Sequence, residues 1–372
     1  MGEIEVKGSK KLFLYITLII IFTLLVSFTF SCKKASRETA AKKASEETAI
    51  SYPRRIIDSL GRSVTVNKPV ERIIALGNYR CEAVKVLGVA DKIVGIDSNS
   101  KKNSPYYFPE LIDKPDVGTW TVPNVEVIAS LHPDIVITSA NQERLSKLEE
   151  KLKPLGITVI GFDFYREDRI KDEIKKLGYL LEKEDEAQEY IKWREQYEKI
   201  INEYVRDLNE EEKPKVFMEW GSKAGTSYGK GSSGQAVCTF AGGRNVAAGL
   251  PEYPTVSMEW VVKENPDVIV KHVSIEEGKW GWNNPEEPKK IIAELENRPG
   301  WSIISAVKNN RIYLLSSEIA WGLDGIVGAA YWAKWFHPSL EINPKHIYKE
   351  YLELFLGIEC PEDIIFAYPP VK

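Results

Sequence analysis

The chain has 372 residues, enough for two or three domains that each bury a core. Its 50 Lys and Arg residues nearly balance its 54 Asp and Glu residues, and the formal net charge of -4 argues against a general nucleic-acid binder, which carries a basic excess. A hydrophobic fraction of 43% excludes a wholly disordered chain. The four cysteines include no C-x-x-C pair, which excludes a disulfide scaffold and a zinc ribbon.

Residues 1–32 are predicted to be a signal peptide or a membrane anchor. Lysines precede an uncharged, mostly apolar run at residues 12–30, which is longer than a usual signal-peptide core and close to the length that spans a bilayer. Cys32 follows a small residue, Ser31, which predicts a lipoprotein with Cys32 lipidated; the alternative is an uncleaved transmembrane helix. Either anchor places the rest of the chain on the extracytoplasmic face of the cell membrane.

Residues 33–52 form a predicted linker, because they are rich in Ala, Lys, Glu, Ser and Thr. From residue 70 to residue 160, short runs rich in Val and Ile alternate with amphipathic segments. The predicted strands here are residues 72–77, 92–96, 134–138 and 157–162, and the predicted helices are residues 81–87 and 143–153. This alternation indicates an α/β lobe, residues 53–181, whose mostly parallel sheet is covered on both faces.

Residues 182–212 are predicted to form one long connecting helix. Aromatic and aliphatic residues recur in this charged segment at spacings of three and four, with no Gly or Pro before Pro214. One helix of about 20–27 residues spans roughly 30–40 Å and leaves little room for hinge motion. A second α/β lobe, residues 213–372, follows, with predicted strands at residues 215–220, 267–272 and 311–316.

An internal repeat relates the two predicted lobes. Residues 125–137 and 258–270 both read as a Glu, six residues, Pro-Asp and then three aliphatic residues. In each copy the Glu, Glu126 or Glu259, is expected to start a short helix that ends at the Pro-Asp turn before a buried strand. The repeat predicts two similar α/β lobes.

Several ordered segments resemble the substrate-binding proteins of iron-chelate and vitamin B12 ABC importers. The segments are residues 58–62, 72–76, 94–97, 115–118, 125–126 with 133–134, 226–230, 241–245 and 256–259. The resemblance spans about residues 54 to 350. It implies two parallel-sheet α/β lobes joined by a single long helix, with a ligand cleft between the lobes. It also implies a monomer without cofactor or enzymatic activity, which delivers an iron or cobalt chelate to an ABC permease and its ATPase.

Glu126 and Glu259 match the two positions at which the vitamin B12 binder of that family docks onto permease arginines. A carboxylate at a helix start can form charge-assisted, bidentate bonds to a partner arginine. The alternative is a plain helix-start glutamate on a solvated face.

Candidate ligand-binding residues lie where strands of an open α/β sheet end, or in nearby loops. Trp120 also matches a cleft tryptophan of the B12 binder. The candidates are Tyr79, Arg80, Trp120, Asn141, Trp220, Arg244, His272, Trp280, Trp282 and Trp321. Aromatic walls with a few polar or cationic groups suit a bulky chelate or a macrocycle, and arginines can pair with its anionic groups. For each tryptophan, core packing is the alternative.

His272 is a candidate axial ligand to a haem or corrinoid metal, with a buried, hydrogen-bonded histidine as the alternative. The four histidines are too few for a bare zinc or manganese site. The other functions left open are binding of an oxyanion such as molybdate or tungstate, a membrane-anchored α/β enzyme, and a membrane-tethered sensor or scaffold. The G-x-G-x-x-G match at residues 229–234 is isolated, and no G-x-S-x-G occurs.

Overall fold

A computed structural model of the chain describes residues 51–103, 105–277 and 279–371. The predicted signal peptide or anchor, nearly all of the linker and the lipidation candidate Cys32 lie outside these residues. Residues 52–372 form one compact unit. Within the described residues, every helix is too short or too polar to cross a bilayer.

The first lobe contains a hairpin and a four-stranded parallel sheet. The hairpin pairs β1 (Arg54–Ile57) with β2 (Ser63–Val66), and the sheet consists of β3 (Ile73–Ala75), β4 (Ile93–Ile96), β5 (Ile135–Thr138) and β6 (Thr158–Gly161). The sheet order is β4-β3-β5-β6. Its helices are α1 (Asn78–Val86), α2 (Ser98–Asn103), α3 (Val125–Ser130), α4 (Gln142–Leu152) and α5 (Ile170–Leu181). All four residues of β5 are buried, as expected for a parallel strand covered on both faces.

One long helix, α6 (Glu184–Arg206), leads from the first sheet to the second, as the sequence predicts. Its 23 residues correspond to about 35 Å. Acidic residues occupy its first turn, where they complement the helix dipole. Its buried face includes Tyr190, Trp193 and Tyr197, and it packs against α5 and the first-lobe helix α1.

The second lobe is built on a five-stranded sheet of order β11-β10-β9-β7-β8. Its strands are β7 (Lys215–Glu219), β8 (Arg244–Asn245), β9 (Val268–Val273), β10 (Ile312–Ser316) and β11 (Ala367–Tyr368). Among the described strands of this sheet, β11 alone runs antiparallel to its neighbour. Its helices are α7 (Ser233–Phe240), α8 (Met258–Glu264), α9 (Glu286–Glu296), α10 (Ser305–Lys308), α11 (Gly325–Phe336) and α12 (Pro344–Tyr351), which continues as a π-helical turn, Leu352–Leu356.

The internal repeat folds the same way in both lobes, because its two aspartates accept equivalent backbone hydrogen bonds. Asp134 precedes β5, and its carboxylate accepts the backbone N–H of Arg72, 2.9 Å away, at the start of the neighbouring β3. Asp267 precedes β9 and accepts the backbone N–H of Lys215, 2.8 Å away, at the start of β7. Each aspartate therefore joins the amino ends of two adjacent strands, and the prediction of two α/β lobes is confirmed.

Candidate functional site

The described cleft consists of two hollows that meet at Asn78 and Tyr79. We call them the basic hollow and the acidic hollow. The basic hollow has a volume of about 440 Å³ and is lined by Tyr79, Arg80, Trp120, Asn141, Arg144, Asp163 and neighbouring residues of the first lobe. The acidic hollow has a volume of about 200 Å³ and is lined by Tyr79, Glu82 and Tyr107 of the first lobe and by Trp220, Tyr228, His272, Glu318, Trp321 and Asp324 of the second. Both lie at strand carboxyl ends, as predicted for an open α/β sheet.

Gly77 turns the chain from β3 into α1 at the edge of the basic hollow. Its φ of 95° is one that L residues rarely adopt, and a Cβ there would lie 3.0 Å from Nη1 of Arg80. Helix α1 consequently begins at Asn78, three residues earlier than predicted, and its first turn carries Tyr79 and Arg80.

Arg80 is held inside the protein rather than extended into the cleft. It is 4% exposed, its Nε donates to the carbonyl of Phe162 at 2.9 Å, and its Nη2 lies 3.5 Å from the carboxylate of Asp163. In the described part of the chain its Nη1 makes no hydrogen bond. Arg80 therefore contributes positive charge to the wall of the hollow, partly balanced by Asp163.

Trp120 and Arg144 form the outer part of the basic hollow. The Arg144 guanidinium lies 5.0 Å from the centre of the Trp120 ring, a cation–π contact. Asn141 caps α4 by accepting the backbone N–H of Arg144 at 3.0 Å, so its side-chain oxygen is used in the fold. Sequence reasoning missed Arg144, although its place in the first turn of the helix that follows β5 could have indicated it.

Three carboxylates give the acidic hollow its character, and sequence reasoning missed all of them. Glu82 is 4% exposed, Asp324 is 1% exposed and Glu318 is partly buried. Each accepts a tyrosine hydroxyl: Tyr351 on Glu82, Tyr107 on Asp324 and Tyr106 on Glu318. Burial raises the pKa of Glu82 to about 8 and raises the pKa values of Asp324 and Glu318.

Aromatic rings form the second-lobe wall of the acidic hollow. The ring centres of Trp220 and Tyr228 are 6.1 Å apart, and those of Tyr228 and Trp321 are 5.6 Å apart. The structure thus brings the predicted residues Tyr79, Trp220 and Trp321 to one cavity. Their contact with a ligand stays a prediction.

His272 lies beside these rings on β9 and also lines the hollow. It is 3% exposed, its Nδ1 is 2.7 Å from the Tyr228 hydroxyl, and its ring stacks on Trp332 with centres 5.3 Å apart. Burial lowers the pKa of His272 to about 3, so the ring is neutral at physiological pH. Its Nε2 is buried without a hydrogen-bond partner among the described residues. The axial-ligand role stays a prediction.

Three other predicted cleft residues lie elsewhere. Arg244 is exposed at the start of β8, away from the cleft. In the parallel pairing of β7 with β8 it stands opposite Lys215, at the amino ends of the two strands. Its Nε donates to the carbonyl of Lys213 at 2.8 Å, so it fixes a turn. Trp282 is 3% exposed in the second-lobe core, because its backbone pairs with Ile365 and draws the ring inward.

Trp280 packs between the lobes instead of lining either hollow. Its ring stacks on Tyr106 with centres 4.9 Å apart and planes 9° apart, and its Nε1 donates to the hydroxyl of Tyr348 at 2.6 Å. These contacts join the first lobe to the C-terminal helix. Trp280 is therefore a contact between lobes, a position that its loop-like sequence did not indicate.

Glu126 and Glu259 occupy the same position in each lobe. Both are exposed in the first turn of their helices, at the second helical residue after the caps Asn124 and Ser257. Backbone and Ser257 hydrogen bonds lower the pKa of Glu259, which is therefore ionised at physiological pH. Within the described residues neither glutamate forms an ion pair, so both carboxylates are available to a partner.

Comparisons with known proteins agree with this architecture. The sequence profile of the periplasmic binding protein family matches residues 73–319. YvrC of Bacillus subtilis, an uncharacterized ABC transporter substrate-binding lipoprotein, is 28% identical over 283 residues, which cover 74% of this chain and 82% of YvrC. The Fe(3+)-citrate-binding protein YfmC of the same organism is 27% identical over 310 residues, 82% of this chain and 89% of YfmC.

The fold is also that of a solved structure, the TroA-like periplasmic binding protein FepB from Veillonella parvula. The two match with a TM-score of 0.73 and 24% identity over 85% of this chain and 99% of FepB. The predicted fold class and the predicted resemblance are confirmed. The chain belongs to the periplasmic binding protein family.

Proposed function

We propose that this protein is the extracytoplasmic substrate-binding component of an ABC importer, and that it captures a metal chelate and delivers it to a membrane permease. The chelate is a ferric siderophore, a haem or a corrinoid. The observation that carries the proposal is the cleft itself, in which Trp120, Trp220 and Trp321 bring aromatic surface from both lobes beside charged groups. Such a lining suits a bulky ligand with apolar faces and ionised edges.

Delivery is assigned to Glu126 and Glu259. Each presents an exposed, unpaired carboxylate at a matched position of its lobe, among the described residues. Two such carboxylates can each receive a bidentate bond from an arginine of the permease, which fixes the orientation of the docked protein. Because neither glutamate lines a hollow, docking and ligand binding use separate residues.

Attachment to the membrane is assigned to residues 1–32, either through lipidation of Cys32 or through an uncleaved helix. The relative YvrC is a substrate-binding lipoprotein, which supports an extracytoplasmic, membrane-attached protein. Mass spectrometry of the purified full chain separates the two anchors, since lipidation with cleavage removes the residues before Cys32.

The test of ligand binding is a tryptophan fluorescence titration of the full chain in mild detergent with ferric citrate, haem and cobalamin. We expect saturable quenching by one of these chelates, because Trp120, Trp220 and Trp321 line the two hollows. The matched controls are citrate, protoporphyrin without iron and buffer. If no chelate quenches differently from its control, the proposal is wrong.

A second candidate is an oxyanion such as molybdate. It is favoured by Arg80 and Arg144, which both line the basic hollow, and by the Nη1 of Arg80, which makes no hydrogen bond within the described residues. Calorimetry with molybdate decides between the candidates: tight molybdate binding without chelate binding favours the oxyanion.

A further inference from the structure

The acidic hollow holds an uncompensated set of carboxylates. Glu82, Glu318 and Asp324 all line it, and no Lys or Arg belongs to its described lining. The negative charge of Glu318 contributes to the raised pKa values of Glu82 and Asp324, and Glu82 also contributes to that of Asp324. The basic hollow next to the acidic hollow, in contrast, is lined by two arginines. Two buried carboxylates and a partly buried one cannot all ionise together without a positive charge between them, and burial accordingly raises all three pKa values. A cation that enters the hollow would favour their ionised forms.

The walls of the same hollow also favour an organic cation. The ring centre of Tyr228 lies 6.1 Å from that of Trp220 and 5.6 Å from that of Trp321, and Tyr79 and Tyr107 also line the hollow. Aromatic faces attract ammonium groups through their quadrupole, most strongly where water is excluded. A volume of about 200 Å³ suits the end of an amine-bearing arm, and is too small for a whole chelate.

His272 adds an independent observation. It forms part of the wall of the hollow, it is nine-tenths buried, and its Nε2 has no hydrogen-bond partner among the described residues. When Nδ1–H donates to the Tyr228 oxygen, Nε2 is an acceptor and can receive an N–H from a ligand. A neutral imidazole does not repel a cation, and a buried acceptor without a donor is costly to leave unpaired.

We infer that the acidic hollow is a subsite for a protonated amino group carried by the transported molecule. The amine lies against Glu82, Glu318 and Asp324, and the anionic part of the same molecule lies against Arg144 in the basic hollow. The two hollows meet at Asn78 and Tyr79, so one ligand can span both. This inference rests on the proposed function and narrows it to cargo that carries positive and negative groups at opposite ends.

The experiment compares two small probes, n-butylammonium chloride and 1-butanol, which have the same chain length and differ in the charged end. Binding of each to the full chain in detergent is measured by saturation-transfer NMR at pH 8 and low ionic strength, where surface screening is weak. We expect n-butylammonium to bind at least about tenfold more tightly than 1-butanol. Equal binding of the two probes overturns the inference.

Variants show whether the preference arises in this hollow. Glu318→Gln and Asp324→Asn are each expected to reduce the preference for n-butylammonium several-fold. Two separate variants are used so that one still gives a result if the other misfolds. Glu294→Gln, an exposed carboxylate on α9, is the matched control and should keep the full preference. An unchanged preference in both hollow variants, with far-ultraviolet circular dichroism intact, also overturns the inference.

The chelate titration on the same preparation distinguishes failure of the amine subsite from failure of the proposed metal-chelate function. If a chelate binds while n-butylammonium shows no preference over 1-butanol, the amine subsite is wrong and the proposed function stands. If n-butylammonium is preferred and no chelate binds, the subsite stands and the metal-chelate function is wrong.

Discussion

Replacing Trp120 by alanine tests whether this tryptophan contacts the ligand in the cleft or packs in the core. Trp120 is partly buried, packs on the apolar core of the first lobe and makes a cation–π contact with Arg144 in the lining of the basic hollow. Loss of a large aromatic contact is expected to weaken chelate binding by about 1–3 kcal/mol, roughly five- to 150-fold. Because the ring is only partly buried and its cation–π contact is exposed, the free energy of unfolding should fall by only about 1–2 kcal/mol.

Trp282→Ala is the matched control, since Trp282 is a nearly fully buried tryptophan of the other lobe. It should cost about 3–5 kcal/mol of stability and leave the affinity of the folded protein unchanged. Calorimetric titration measures affinity without relying on tryptophan fluorescence, and urea unfolding measures stability. The reasoning is refuted if Trp120→Ala loses stability as Trp282→Ala does while its affinity stays at the wild-type value.

The other predictions concern docking, rigidity and buried charge. The double variant Glu126→Ala with Glu259→Ala should keep its chelate affinity and lose import in cells; normal import would remove the docking assignment. Because one helix joins the sheets, small-angle scattering should give the same radius of gyration with and without chelate, and a clear decrease would indicate hinge closure. Burial raises the pKa of Glu82 to about 8, above the roughly 4.3 of an unfolded chain, so its contribution to stability is complete below about pH 4 and is lost as the pH rises to about 8. Glu82→Gln should therefore flatten the decline of unfolding free energy between pH 5 and 9, and an unchanged slope would contradict the buried position. Glu219 is fully buried and lies 2.7 Å from both Lys271 and Arg298. Glu219→Gln should therefore lower the free energy of unfolding by about 3–5 kcal/mol, and a loss below about 1 kcal/mol would contradict that ion-pair geometry.

Much of the fold could be predicted because it depends on local patterns. The Pro-Asp turns at Asp134 and Asp267 begin their strands in both lobes, and the long helix α6 follows from the spacing of its apolar residues. The turn residues and the apolar spacing are both local features of the sequence, and each helix or strand buries the face on which its apolar residues recur. The limits proposed for the lobes stay a prediction.

The cleft was harder to predict because its composition depends on distant pairs. Glu82 and Tyr351 meet across 269 residues of sequence, and Tyr107 and Asp324 across 217. No local pattern marks a carboxylate that will be buried against a tyrosine of the other lobe. Trp282 illustrates the converse, since a loop residue was drawn into the core by one backbone pairing with Ile365.

Native mass spectrometry of the full chain released from detergent, after incubation with ferric citrate, haem, cobalamin and molybdate together, tests the central claim most directly. We expect one dominant complex that contains one iron or cobalt chelate per chain, and we expect Trp120→Ala to reduce the occupancy of that complex. A spectrum of unliganded protein, or of the molybdate complex alone, would contradict that claim.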